Sequence, residues 1–275
     1  KRENMPKDNI ARAIKNACGK DTSDYIAKYN VDENSAIDIG NTCAKLAVIE
    51  NGQVVDFFKT DTLSEVYLEQ LLENFPDITG AILISVHEDS DAPIEALLRR
   101  RLGRFIRFGH GVPVPIRNGY ATPDTLGADR LAAAVGAATL YPGNNVLIVD
   151  FGTAITFDFV SAEGEFLGGN ISPGAATRFR ALHHFTRKLP LCELIDREVF
   201  MGRDTVSAIE GGVVNGIVYE VEGYIRDLER KYDGLRIIFT GGDSNFFAKR
   251  VKKPIFATYD LVAYGLNRIL EYNAK

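Results

Sequence analysis

The chain has little of what builds disulfide frames, metal clusters or membrane spans. Its 275 residues include 3 cysteines and 4 histidines, and no apolar run approaches the roughly 20 residues of a membrane-spanning helix. Cys18, Cys43 and Cys192 stand far apart without a CxxC pair, an odd set that suits a reducing cytoplasm better than a disulfide frame or a zinc site. His87, His110 and the pair His183-His184 lack metal-ligand spacing, so surface or packing roles are expected for them. No signal-peptide apolar core is expected near the start. A net charge of −5 argues against a general nucleic-acid surface. It does not exclude a nucleotide, because local donors and metal ions can hold an anion on an acidic protein. What is present is an ordinary globular composition, 45% hydrophobic and 25% charged, in a chain long enough for two domains with their own cores.

The chain is organised around residues 145–169. Apolar residues 146–149 read as a buried strand ending on Asp150, followed by Gly152 and the hydroxyl of Thr153. Residues 156–160 form a second strand that turns at Glu163-Gly164 and returns through Phe166 and Leu167. A carboxylate at a strand end beside a glycine turn suits phosphate chemistry. The glycine lets backbone N–H groups approach an anion, the hydroxyl adds a donor, and the carboxylate can hold a cation that neutralises phosphate.

The pattern recurs. Asp38-Ile39-Gly40-Asn41-Thr42 precedes a strand over 44–49, a turn at Asn51-Gly52 and a return through Val54, Val55 and Phe57. One such turn is common; two with matching hairpins point to an internal duplication, two related α/β domains with a nucleotide between them. The boundaries fall at 35–142 and 143–275. Residues 1–34 are polar and charged, with a short helix predicted over 9–18, and form an appendage with no assigned role. The strand before Asp38, residues 34–37, is thinner in apolar residues than its counterpart.

Elsewhere strands alternate with helices, as in an α/β sheet with covering helices. The spacing predicts helices over 64–75 and 94–102, strands over 81–86 and 104–108, and an Ala-rich helix over 131–140 stopped by Pro142-Gly143. Asp129 falls at the start of that helix, where an N-cap competes with a base kept ionised by the positive helix end. Arg130 is either a fork for a substrate carboxylate or an exposed first-turn arginine. Residues 168–174 read as a glycine-dense loop, open to a ligand or simply a tight turn. Gly202-Arg203-Asp204-Thr205 opens a helix to 231 whose glycines suit close packing, including across a dimer; Thr205 alone reads as a cap. The strand 236–239 ends at Thr240-Gly241-Gly242-Asp243, which suits a flat ligand against the backbone. Residues 260–272 form a last amphipathic helix, and Lys45 reads as an ordinary hairpin lysine.

In combination and in this order, Asp38 to Thr42, Tyr120 with Leu126-Gly127-Ala128-Asp129-Arg130, Asp150-Phe151-Gly152-Thr153-Ala154, residues 169–174 and Thr240-Gly241-Gly242-Asp243 resemble the type III pantothenate kinases. These belong to the acetate/sugar kinase–Hsp70–actin superfamily, and the similarity spans residues 37–273. The resemblance implies two duplicated ribonuclease H-like domains around a nucleotide cleft. It implies ATP-dependent phosphorylation of pantothenate to 4'-phosphopantothenate, the first step of coenzyme A biosynthesis. Asp38, Ile39, Gly40, Asn41 and Thr42, on to Lys45, would form the first phosphate loop, with Asp38 near magnesium. Asp150 would hold a monovalent cation, potassium or ammonium; Thr153 would touch the phosphates, and Gly241 and Gly242 would face the adenosine. Asp129 would be the general base. Tyr120, Gly127, Ala128 and Arg130 would position pantothenate, with Thr205 supplied by the partner subunit of a homodimer. The implied setting is cytoplasmic, with no nucleic-acid or membrane partner. The alternatives are a related small-molecule kinase or phosphatase, and a non-catalytic accessory transcription regulator. Loss of Asp38, Asp129 or Asp150 would favour the regulator, and all three are present.

Overall fold

The computed structural model describes residues 33–40, 43–85, 91–258 and 260–274. The helix expected over 9–18, the loop residues Asn41 and Thr42, and His87 lie outside these.

The first sheet contains β1 (Glu33–Ile39), β2 (Ala44–Glu50), β3 (Gln53–Thr60), β4 (Ile78–Ser85) and β5 (Arg104–Arg107), in the order β3-β2-β1-β4-β5. The second contains β6 (Arg117–Asn118), β7 (Val146–Phe151), β8 (Ala154–Val160), β9 (Glu165–Pro173), β10 (Arg236–Thr240) and β11 (Phe256–Ala257), in the order β11-β10-β7-β8-β9-β6. Apart from the edge strand β6, the two sheets share one order and one set of directions: an antiparallel meander followed by parallel strands. The duplication read from two D-x-G hairpins is a duplication of the fold. The first hairpin closes on Asn51 and Gly52, both left-handed at φ 53° and 72°, the geometry for which Asn-Gly turns are favoured.

Five layers result. α1 (Glu65–Asn74) and α2 (Ala92–Arg101) cover the outer face of the first sheet, placing Leu68, Leu72 and Leu97 on Ile37, Leu46 and Leu83. α4 (Ala175–Phe185) and α5 (Thr205–Glu229) cover the outer face of the second. Between the sheets lie α3 (Ala128–Leu140) and α7 (Leu261–Tyr272), while a short α6 (Ser244–Ala248) follows β10. The inner helices are exchanged. α3 precedes β7 to β11 of the second sheet yet lays Ala133, Ala134 and Ala137 on Val146, Ile148 and Phe166, whereas α7 follows them and packs Leu266 and Leu270 with Ala36 and Ile82 of the first. They cross where a methyl at Gly265 would lie 1.8 Å from the Ala132 carbonyl oxygen and one at Gly136 2.5 Å from that of Leu261. Only glycine fits there.

Three local expectations change. The strand before Asp38 is thin in apolar residues but runs over seven residues at the centre of its sheet. Its polar start is buried because Asn34 Nδ2 donates to Asn267 Oδ1 of α7 at 2.9 Å, satisfying groups that would otherwise oppose burial. Residues 168–173 are not a loop but the end of β9, paired with β8. Thr205 is not the cap of its helix: Asp204 is, accepting from the Ser207 N–H at 2.9 Å in a reciprocal capping box.

Candidate active site

The two glycine turns bring their carboxylates to equivalent positions. On β1, Asp38 lies opposite Lys45 of β2 and Ile84 of β4; on β7, Asp150 lies opposite Thr156 of β8 and Thr240 of β10. Each turn is closed by its glycine, with the Gly40 N–H on the Cys43 carbonyl at 3.1 Å and the Gly152 N–H on that of Ala154 at 3.0 Å. Asp38, Lys45, Asp150, Thr240 and Gly241 line one cleft between the sheets, floored by Ala36, Ala47 and Leu266. Gly241 has φ 87°, and a Cβ there would stand 2.3 Å from Asp150 Oδ1. A side chain at that position would displace the carboxylate. Around Gly242 a Cβ would meet nothing within 4 Å, so the backbone there faces open space.

Asp129 enters from the inner helix. The helix cap is Gly127, and Asp129 sits in the first turn, its Oδ1 accepting the Arg130 N–H at 2.9 Å. A Cβ on Gly127 would lie 2.5 Å from that same oxygen, so glycine leaves room for the exposed carboxylate. Its charge is felt by both strand-end acids. Burial pushes Asp38 above the ordinary carboxylate range, with Lys45 opposing and Asp129 adding to the shift. Burial likewise pushes Asp150 up to about 6, with Lys45 opposing and Asp129, Asp38 and Asp158 adding. Three carboxylates from β1, α3 and β7 thus share one field with one lysine, Lys45, whose Nζ stands 3.8 Å from Asp38 Oδ2. Such a cluster is unfavourable alone and calls for positive charge.

The remaining predicted residues divide into three groups. Thr153 lies at the second turn, where its carbonyl accepts from the Gly174 N–H at 3.0 Å and the Thr177 hydroxyl at 2.7 Å, pinning the start of α4 to that turn. Arg130 is 7% exposed, and its guanidinium meets Asp158 with Nε at 3.0 Å from Oδ1 and 3.2 Å from Oδ2. Tyr120 covers it, the ring centre 5.7 Å from the guanidinium carbon. Gly127 and Ala128 begin the same helix, and Ile39 ends β1. Thr205 is exposed at the start of α5, on the stretch that carries the exposed Phe200, Met201 and Val206, rather than among the residues lining the cleft.

The family description "Type III pantothenate kinase" matches residues 36–227. A type III pantothenate kinase of Phocaeicola vulgatus is 44% identical over 242 residues, covering 88% of this chain and 99% of that one. The chain belongs to the type III pantothenate kinase family. Another relative, from Flavobacterium johnsoniae, is 38% identical over 86% of this chain and 96% of its own length. Among solved structures, a protein described as a Baf family transcriptional activator from Campylobacter jejuni aligns with a TM-score of 0.58 at 23% identity, over 87% of this chain and 98% of that one. The activator of 2-hydroxyisocaproyl-CoA dehydratase from Clostridium difficile, with bound ADPNP, gives 0.51 at 14% over 88% and 95%. At those identities the likeness is one of fold.

For a kinase of this family the donor set fits hard cations. Among the described residues no group of three or more His, Cys, Asp or Glu is placed to hold a metal alone, but Asp38 and Asp150 present oxygen ligands that a triphosphate would complete. Two further residues gain their place at the site in three dimensions. Lys45 is no ordinary hairpin lysine, since the β1–β2 register sets it beside Asp38. Asp158 carries a signal in the sequence, an acid between Phe157 and Phe159 in an apolar strand, where a buried carboxylate needs a cation.

Proposed function

We propose that the protein transfers the γ-phosphoryl group of ATP to the primary hydroxyl of pantothenate, giving 4'-phosphopantothenate for coenzyme A synthesis. The observation that carries this reading is the convergence of Asp38 and Asp150, from matching strand ends of the two sheets, with Asp129 from the helix between them. Phosphoryl transfer asks for positioning and charge neutralisation more than covalent chemistry, and that is what the cleft supplies. Asp38 and Asp150 flank the place of the phosphates. Asp38 would hold magnesium through the phosphates and Asp150 a monovalent cation, and these ions would neutralise charge on the triphosphate.

The loop from Asp38 through Ile39, Gly40, Asn41 and Thr42, with Thr153 opposite, receives the phosphates, and Lys45 adds a fixed positive charge. Gly241 and Gly242 give the adenosine a flat approach. Asp129 takes the proton from the acceptor hydroxyl, from its exposed place in the first turn of α3. Tyr120, Gly127, Ala128 and Arg130 form the acceptor side. The halves 35–142 and 143–275 act as the two domains, tied by exchanged α3 and α7. Thr205 reaches the acceptor of a partner subunit in a homodimer, and the setting is the cytoplasm.

The test is ATP consumption with a panel of small hydroxy acids, in potassium and in sodium buffer. Turnover is expected with pantothenate and should rise steeply in potassium. A panel in which pantothenate is no better than water would remove the assignment. Full turnover without potassium or ammonium would remove Asp150 as a cation ligand.

A further inference from the structure

The pair Arg130–Asp158 is the most deeply buried ion pair next to the acceptor side, with side-chain exposures of 7% and 1%. Its surroundings are shaped to it. Asp158 on β8 lies opposite Gly169 of β9, where a Cβ would stand 2.5 Å from Asp158 Oδ1 and 1.9 Å from the Phe157 carbonyl oxygen. Gly168, at φ 113°, would place a Cβ 3.7 Å from the Tyr120 ring. Gly169 therefore makes room for the carboxylate, while Gly168 serves the left-handed backbone there, which explains why they stand inside a strand. Phe166 closes the other side, 6.0 Å from the Arg130 guanidinium carbon. Burial works against the charged guanidinium, but the Asp158 hydrogen bonds and charge, with help from Tyr120, more than offset it and raise its pKa.

Asp158 takes the Nε and Nη2 edge of the fork. Nη1 lies outside that pair, and Tyr120 holds the guanidinium from another side, its ring centre 5.7 Å from the guanidinium carbon and its side chain in hydrogen-bonding contact. Through its backbone N–H, the same arginine also steadies the Asp129 carboxylate. We infer that Asp158 is a positioning residue for the acceptor: by holding Arg130 against Tyr120, it presents the guanidinium to the carboxylate of the substrate beside the base Asp129. This rests on the reading of Arg130 and Tyr120 as the acceptor side of a pantothenate kinase. A flexible or uncompensated arginine at this depth would not keep that orientation, because a buried charge without its partner relaxes or draws in water.

The test separates positioning from folding. Asp158→Asn is made in the full chain, and KM for pantothenate, KM for ATP and the melting temperature are measured. KM does not depend on the fraction of active molecules, so a purely structural residue would lower Tm and apparent kcat but leave both KM values alone. The expected result is a pantothenate KM raised about 10-fold or more, with KM for ATP within about 2-fold of the wild type. If Asp158→Asn does not fold, Asp158→Glu answers instead: it keeps the charge but moves the carboxylate by one methylene, and should also raise the pantothenate KM. A wild-type pantothenate KM in whichever of the two folds would overturn the inference while leaving the kinase intact. No pantothenate turnover by the wild-type protein would overturn both.

Discussion

Asp150 and Asp129 carry the sharpest residue-scale consequences. The folded pKa of Asp150, about 6, lies above its ordinary value of 3.8, so the native state binds this proton more tightly than the unfolded chain does. Stability linked to it is present at low pH and is lost as pH rises from the ordinary value through the folded one. In metal-free buffer at about pH 7.5, Asp150→Asn should therefore melt a few degrees above the wild type, with the gain shrinking as pH falls through about 6. A gain that grows toward acid would reverse the sign and remove the buried-carboxylate account. For Asp129, asparagine keeps shape and helix start but cannot take a proton, so Asp129→Asn should lose ~10²-fold or more in kcat at nearly unchanged Tm. Asp124→Asn is the control, since its side chain is 95% exposed, 4.0 Å from His110. Equal activity in both variants would leave the reaction without a base. Asp38 and Asp150 stood out in the sequence because each ends a strand beside a glycine turn, whereas Asp129 was open between a cap and a base and stood out only through the family resemblance. Asp158 did not, because its partner lies 28 residues upstream on another element, and strand alternation alone does not say which charge meets which.

At the scale of elements, apolar period and glycine punctuation located the long strands and helices, and the two hairpins were read with their turns. What escaped was set by tertiary partners. β1 looked weak because Asn34 is satisfied by distant partners, Asn267 at 233 residues and Arg104 at 70 residues along the chain. Residues 168–173 looked like a loop because their glycines serve neighbouring side chains instead of a turn. The crossing of α3 and α7 yields a prediction of its own. Gly265→Ala places a methyl into the Ala132 carbonyl and should cost about 1–3 kcal/mol or more, visible as a clear drop in Tm. Gly223→Ala, in α5, meets only the tip of Arg226 at 3.8 Å, and should instead stabilise by roughly 0.5–1 kcal/mol through helix propensity. Equal melting points for the two variants would contradict the close crossing.

For the whole molecule, the duplication was visible as two spaced motifs, whereas the exchange of inner helices between sheets was not, because both helices show only an apolar face and not its destination. That exchange ties the two halves together and sets Asp129, on α3, where its charge is felt by both Asp38 and Asp150. On the outside, Phe185, Phe200, Met201 and Ile171 are 82%, 81%, 77% and 65% exposed, large apolar side chains that a partner subunit would cover. Sedimentation should show a dimer, and Phe200→Glu should shift it toward monomer with loss of turnover; a fully active wild-type monomer would contradict the shared site. The central claim, transfer from ATP to one hydroxyl of pantothenate, is tested most directly by phosphorus NMR of the reaction with magnesium and potassium present. A new phosphomonoester coupled to the protons of the primary carbinol is the predicted product. Only inorganic phosphate, or a phosphate on the secondary hydroxyl, would contradict it.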